Sequence, residues 1–235
     1  MFDDRRENYI QRAIYDFEMI LREQMDRTDK MREGGDYPYC NIEKGVTIGL
    51  IEGDGIGPVI MKEAERLLRN ILADEIEGGR VKLKRIDGLT IENRISLGKS
   101  VPEDVLEEIK SCDVLLKGPT TTPKGGALES ANVTLRRELD LYANIRPVCV
   151  PEEGIDWTFF RENTEGEYVL GSRGIEIPGR LTMDFKVTTE PGTRRIARAA
   201  FDFARANGKT NVSIVTKANI MKKTDGSFSR ICHEI

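Results

Sequence analysis

The sequence predicts an α/β protein, and three observations carry that expectation. Val46 to Ile51 is a short apolar, β-branched run that passes straight into a glycine turn and then a helix. Val81 to Ile86 and Val114 to Leu116 repeat the short apolar run, with helical signals between them. The third run also ends on a polar stretch, at the carboxyl end of a strand, where open α/β sheets bind ligands.

Taken in order, the apolar residues Ile10, Ala13, Ile14, Phe17, Ile20 and Leu21 recur at three and four, so about Arg5 to Met31 is read as an amphipathic helix. Asp16, Glu18 and Glu23 on its polar side argue for docking against its own domain or a second subunit, not a membrane surface. Gly34-Gly35 and Tyr37-Pro38 break the helix, and a linker to about Lys44 is expected. After the first strand, Glu52-Gly-Asp-Gly-Ile-Gly-Pro58 opens a helix through Ile71. The spacing of Gly53, Gly55 and Gly57 is not that of a dinucleotide fingerprint, and Asp54 would repel a phosphate. Ser100-Val101-Pro102-Glu103 reads as a capped helix start, with the helix running to about Ser111. Beyond Pro147, Thr158 to Arg161 is a strand. Gly171, Gly174 and Gly179 suggest a hairpin or projecting arm of the kind that pairs with another subunit. Thr188 to Pro191 starts a helix through Ala206 that Asn207-Gly208 closes, Val212 to Val215 is a strand, and a last helix starts near Asp225.

At 235 residues the chain forms one large domain or two modest ones. A net charge of -4 gives no basic field for nucleic acid or an anionic membrane, so any anion site must be local. Cys40, Cys112, Cys149 and Cys232 are scattered, with no CxxC pair and only His233 to complete a zinc set, and they are read as reduced structural thiols. Asp3, Asp4 and Glu7 fit neither a secretory signal nor a transit peptide, and no apolar run reaches membrane-spanning length; a cytoplasmic protein is expected.

The stretch Lys117 to Val148 concentrates the chemistry. Thr120, Thr121 and Thr122 precede Pro123 and Gly125-Gly126, so the backbone turns there and can approach a ligand. If Asn132 to Leu139 is helical, Asn132 and Arg136 share a face. With Ser130, Arg146 in an extended run, and a third guanidinium at Arg161, the set suits a small polycarboxylate or a phosphate, because each planar fork binds a carboxylate bidentately. Tyr168 and Lys217 are the proton-transfer candidates outside this clamp. Free tyrosine and lysine side chains titrate near 10, and nearby cations or burial would bring a lysine toward neutrality.

Five motifs in order, GDGIGP at Gly53, KGPTTTPKGG at Lys117, SANVTLRRELDLYANIRP at Ser130, RENTEGEY at Arg161 and KANIMKKTDGSF at Lys217, resemble the isocitrate and isopropylmalate dehydrogenase family of β-decarboxylating dehydrogenases. The resemblance spans about 45 to 228. It implies the isopropylmalate-dehydrogenase-like α/β fold, not a Rossmann fold, arranged as an N-terminal helical extension and linker over 1–44, part of a large domain over 45–141, and a partial small domain over 142–235 with an arm at about 166–189. It implies oxidation of a 2-hydroxy acid by NAD or NADP followed by loss of a β-carboxylate. Ser130, Asn132, Arg136, Arg146, Arg161 and Asn219 would then lie at the substrate, and Thr121 would contact substrate and the nicotinamide end. Tyr168 would protonate the enolate, and Lys217, given in trans by the second subunit of a dimer or higher oligomer, would take the hydroxyl proton. Ser130 and Asn132 favour a tricarboxylate, isocitrate, over the branched alkyl group of isopropylmalate; homoisocitrate and tartrate-like substrates remain alternatives. The family's magnesium or manganese ligands are expected beyond Ile235, so no metal ligand is named and the isolated chain is expected to have little activity. A non-catalytic regulatory or assembly subunit that binds tricarboxylates is the rival reading.

Overall fold

The computed structural model describes residues 2–33, 44–123, 128–167, 169–171 and 173–235. The expected linker after the first helix, the Gly125-Gly126 pair and Tyr168 lie outside the described residues. The chain divides into two compact units, Asp36–Asp140 and Met1–Gly35 with Leu141–Ile235. No described helix is long and apolar enough to cross a membrane.

The unit over 36–140 is built on three parallel strands. β1 (Val46–Ile51) is central, flanked by β2 (Val81–Arg85) and β3 (Val114–Lys117), in the order β2-β1-β3. Parallel neighbours need helical crossovers. The first is α2 (Gly57–Ile71), with Pro58 in its opening turn, followed by α3 (Ala73–Glu77). The second is α4 (Ile91–Leu97) and α5 (Glu103–Lys110). α3 and α4 were not foreseen, because neither fills a window long enough for helical periodicity to declare itself. The α5 start corrects the sequence reading in one detail: Pro102, not Ser100, occupies the N-cap and no side chain caps it. Glu103 and Asp104 in the first turn offset the missing cap by facing the positive end of the helix dipole. Ile51, Ile86, Leu89, Val101, Val105 and Ile109 form one buried cluster with Ala131 and Leu135 of α6 (Ala131–Glu138).

In the other unit, β4 (Ala143–Val150) and β5 (Ile155–Glu162) form an antiparallel pair, turned by Pro151–Glu153 and by Gly154 at φ 66°. α7 (Glu190–Ala206) starts as read, with the Thr189 hydroxyl accepting from Gly192 N–H, and lays Phe203 against Phe160 of β5 with ring centres 5.2 Å apart. The expected arm is a hairpin of β6 (Ile175–Ile177) and β7 (Leu181–Met183), and a bridge between Gly166 and Val187 closes its base. α1 (Phe2–Glu33) docks against this arm. Ile20 packs with Val169 and Leu170, Phe17 meets Phe185, and Arg27 donates to Thr164 Oγ1 at 3.0 Å. α8 (Thr224–His233) packs on α7.

One expected element is absent. Val212 to Val215 joins no ladder among the described residues, and a strand needs a neighbour to complete its backbone hydrogen bonds.

Close backbone packing between the loops after β1 and β3 generates a prediction. A methyl group at Gly118 would run into the Glu52 carbonyl. Gly118→Ala is expected to destabilise the 36–140 unit by about 1–3 kcal/mol, as overpacking does. Urea denaturation checks this: the midpoint falls while the slope is unchanged.

Candidate active site

The strand order reverses between β1 and β3, since the chain moves to one side of β1 for β2 and to the other for β3. The crevice at the carboxyl ends of two such strands is where α/β sheets bind ligands. Two loops meet there. Asp54 N–H donates to Pro119 O at 2.7 Å, and Gly53 sits at φ 74° against that same carbonyl. The Asp54 carboxylate is buried and accepts from Thr121 N–H and Ile91 N–H, each at 2.7 Å. Arg94, fully buried, lies 3.8 Å from that carboxylate and donates to Thr121 O at 2.9 Å and Ser100 O at 2.8 Å. Both backbone groups of Thr121 are therefore fixed by one buried ion pair. This explains the glycine turn: its acid organises the loop, and the turn is not a phosphate cradle.

α6 follows the loop and brings Asn132 and Arg136 onto one face, as their spacing implies. Ser130 is its N-cap residue and makes no side-chain cap bond. Ser130, Asn132 and Arg136 are half-buried, and Thr121 is exposed. The Thr120 hydroxyl donates to Asn132 Oδ1 at 3.5 Å, which ties the loop to this face. Beneath them Lys117 donates to Gly118 O at 2.6 Å. Burial pushes its ammonium below the ordinary lysine value, the Asp54 carboxylate opposes this, and the charges of Arg94 and Arg136 reinforce it. A dehydrated cation under a polar, hydroxyl- and amide-bearing surface favours an anionic ligand.

In the other unit, Arg146 and Arg161 share one face of the β4–β5 pair. Asn144 stands opposite Arg161 and Arg146 opposite Phe159, and directly opposed residues point the same way. Phe160 faces α7, so both arginines lie on the side away from that helix. Both are exposed, and Arg146 Nε donates to Asn144 Oδ1 at 2.9 Å. The turn after β5 uses its acids for itself: Glu162 accepts from Thr164 N–H at 2.7 Å and Glu165 N–H at 2.6 Å, and from Arg195 at 3.1 Å. Burial raises the Glu165 carboxyl above its ordinary value, against hydrogen bonds from Thr189. Lys217 and Asn219 are exposed at the end of the extended segment after α7. Asp225 at the head of α8 accepts from Lys217 N–H at 2.7 Å and pairs with Lys186 at 2.5 Å. Among the described residues no group of three or more His, Cys, Asp or Glu is placed to hold a metal ion.

The sequence reading named polar and cationic candidates and missed the residues that hold their backbones and loops, Asp54, Arg94, Glu162 and Asp225. Asp54 carried a signal, an acid in a glycine turn with no phosphate pattern around it. Arg94 carried none.

Two predictions follow from these anchors. Asp54→Ala is expected to cost about 3–5 kcal/mol, because it leaves Arg94 buried without its counter-charge, while the double variant Asp54→Ala with Arg94→Met recovers most of that loss; chemical denaturation measures both. The Lys186 ammonium holds the Asp225 carboxyl below its ordinary value, more than burial raises it. Its contribution is present above the unfolded carboxylate pKa, about 3.9, and is lost as pH falls through the lower folded value. Asp225→Asn should flatten that acid limb in a stability–pH profile.

The model of the family described as isocitrate/isopropylmalate dehydrogenase matches residues 47–235. The chain is 38% identical to isocitrate dehydrogenase [NAD] regulatory subunit 3, mitochondrial, of Arabidopsis thaliana, over 80% of this chain and 49% of that one. It is 34% identical to isocitrate dehydrogenase [NADP] of Staphylococcus epidermidis, over 81% of this chain and 52% of that one. The crystal structure of isocitrate dehydrogenase from Methylococcus capsulatus superposes with a TM-score of 0.68 at 36% identity, covering 81% of this chain and 56% of that one. The chain spans about half the length of the curated relatives it matches. It belongs to the isocitrate/isopropylmalate dehydrogenase family, and its α/β fold is of that family's type.

Proposed function

We propose that the chain carries the tricarboxylate clamp and the proton-transfer groups for oxidative decarboxylation of isocitrate to 2-oxoglutarate, as part of a dimeric or larger enzyme. The observation that carries this reading is the polar side of α6, where Asn132 and Arg136 share a face behind the N-cap residue Ser130 and the Thr120 hydroxyl reaches Asn132. A branched alkyl substrate such as isopropylmalate would call for an apolar lining there, whereas hydroxyl and amide groups suit a third carboxylate. Arg146 and Arg161, sharing one face of β4–β5, supply two more forks for the remaining carboxylates.

In this reading Lys217, from the partner copy, takes the hydroxyl proton as the alcohol is oxidised to a ketone, and Asn219 lies near the substrate. Bound NAD or NADP supplies the hydride acceptor. Thr121 fits a contact to its nicotinamide end, since the backbone of that residue is already held by Asp54 and Arg94 and its side chain is exposed. The β-carboxylate then leaves as carbon dioxide, its bonding pair passing into an enolate that Tyr168 protonates. The described residues do not furnish a magnesium or manganese set, so no step is assigned through a metal.

The second reading, a regulatory subunit that binds tricarboxylate without turnover, is favoured by the likeness to the Arabidopsis regulatory subunit. Lys217 separates the two, because binding alone does not require a base. In the assembled enzyme, Lys217→Met is expected to lower kcat by about 10²–10⁴ with little change in isocitrate binding; unchanged turnover supports the regulatory reading. The purified 235-residue chain by itself is expected to give no isocitrate-dependent reduction of NAD or NADP, and robust reduction by it would overturn the proposal.

A further inference from the structure

α1 grips the chain on both sides of Tyr168. Ile20, Gln24 and Arg27 follow one another at four and three along the helix, so they share a face, and Ile20 and Gln24 on that face are buried. Ile20 packs with Val169 and Leu170, which follow Tyr168 directly in the sequence. Arg27 reaches Thr164 and Glu165, shortly before it. The helix that makes both contacts precedes the 47–235 family match.

The Arg27 contact is built into a buried polar cluster. Thr164 and Glu165 are both buried. The Thr164 hydroxyl accepts from Arg27 at 3.0 Å and from Arg195 of α7 at 2.7 Å, and donates to Glu162 at 2.7 Å, which uses its whole bonding capacity. Glu165 accepts from Thr189 N–H at 2.9 Å and from the Thr189 hydroxyl at the head of α7, and Arg27 stands 3.3 Å from its Oε1. A methyl group at Gly192 would collide with this carboxylate, so the start of α7 is shaped to it. Burial raises the Glu165 carboxyl and the neighbouring Glu162 charge adds to that, while the Thr189 bonds and the Arg27 charge pull it back. A buried carboxylate is tolerable only with such partners, and here one of them is a cation brought by α1.

We propose that α1 is a clamp on the stretch that carries the acid, and that Arg27 and Ile20 are positioning residues for Tyr168. Arg27 holds the chain at 164–165 and Ile20 holds it at 169–170, so the short segment between them has both ends fixed. The proposal rests on the role given above to Tyr168 and deepens it. Each contact has the chemistry its flank demands: a guanidinium where buried acids need a counter-charge, and an aliphatic side chain where Val169 and Leu170 need cover. The Glu23–Arg173 ion pair adds a tie between α1 and the chain beyond the second flank. Ser130, Asn132, Arg136, Arg146 and Arg161 all lie outside 164–170, so releasing the clamp spares substrate binding and slows delivery of the proton to the enolate.

The test has two arms. In the full 235-residue chain, Arg27→Leu is expected to speed amide exchange at Thr164 and Glu165, and Ile20→Ala at Val169 and Leu170, each at least about tenfold, with the amides of β1 to β3 unchanged as the control for folding. A carbon-13 titration of the Glu165 carboxyl should move to higher pH in Arg27→Leu and return in Arg27→Lys, which restores the charge; a merely space-filling Arg27 would not give that rescue. In the assembled enzyme, both variants are expected to lower kcat at least about tenfold while isocitrate binding changes less than about twofold. Exchange at both flanks equal to that of the unmodified chain overturns the clamp. Faster exchange with kcat unchanged, or a loss confined to isocitrate binding, overturns the positioning role. Absence of isocitrate turnover from the unmodified assembled enzyme overturns instead the reading on which the proposal rests, and the two failures are told apart because the exchange and titration arms use the chain alone.

Discussion

The buried carboxylate of Asp54 is the interaction on which the loops after β1 and β3 depend. It reaches three places distant in sequence: the loop after β3 through Thr121, the start of α4 through Ile91, and the guanidinium of Arg94. A buried charge is tolerable only when paired and bonded, so these partners are mutually required. The glycines around it serve the same end. Gly53, Gly57 and Gly118 let the two loops approach until any side chain would collide with Pro119 or Glu52 backbone. What the loop gains is a Thr121 whose N–H and C=O are both held by one buried ion pair.

The second unit repeats the device with other acids. Glu162 and Glu165 are turned back onto their own loop and onto the start of α7, and Asp225 holds the backbone of Lys217. In each case a carboxylate that looks available for acid–base work is already engaged by N–H donors and a cation. Arg146, Arg161, Lys217 and Asn219, cations and an amide, are exposed. That division gives an anion-attracting surface even though the chain as a whole carries a net charge of -4. α1 adds a feature outside the family match, since it docks through Ile20 and Arg27 onto the base of the arm and the loop after β5.

The amino-acid sequence by itself determined the local elements and the chemistry they carry. β1, α2, β3, α6, α7 and the arm hairpin were legible because each is written in adjacent residues: an apolar run, a Pro in a first turn, a Thr at a cap, glycines at a turn. The polar face of α6 was legible for the same reason, since Asn132 and Arg136 are one helical turn apart. α3 and α4 were too short to show a period. Tertiary structure alone decided which residues hold the site, because the partners of Asp54 stand 37, 40 and 67 positions away and no local pattern encodes such pairing. It also decided that Val212 to Val215 is not a strand here. Strand propensity describes a side-chain pattern, but a strand exists only when a neighbour completes its hydrogen bonds, and none of the described residues does so for this run.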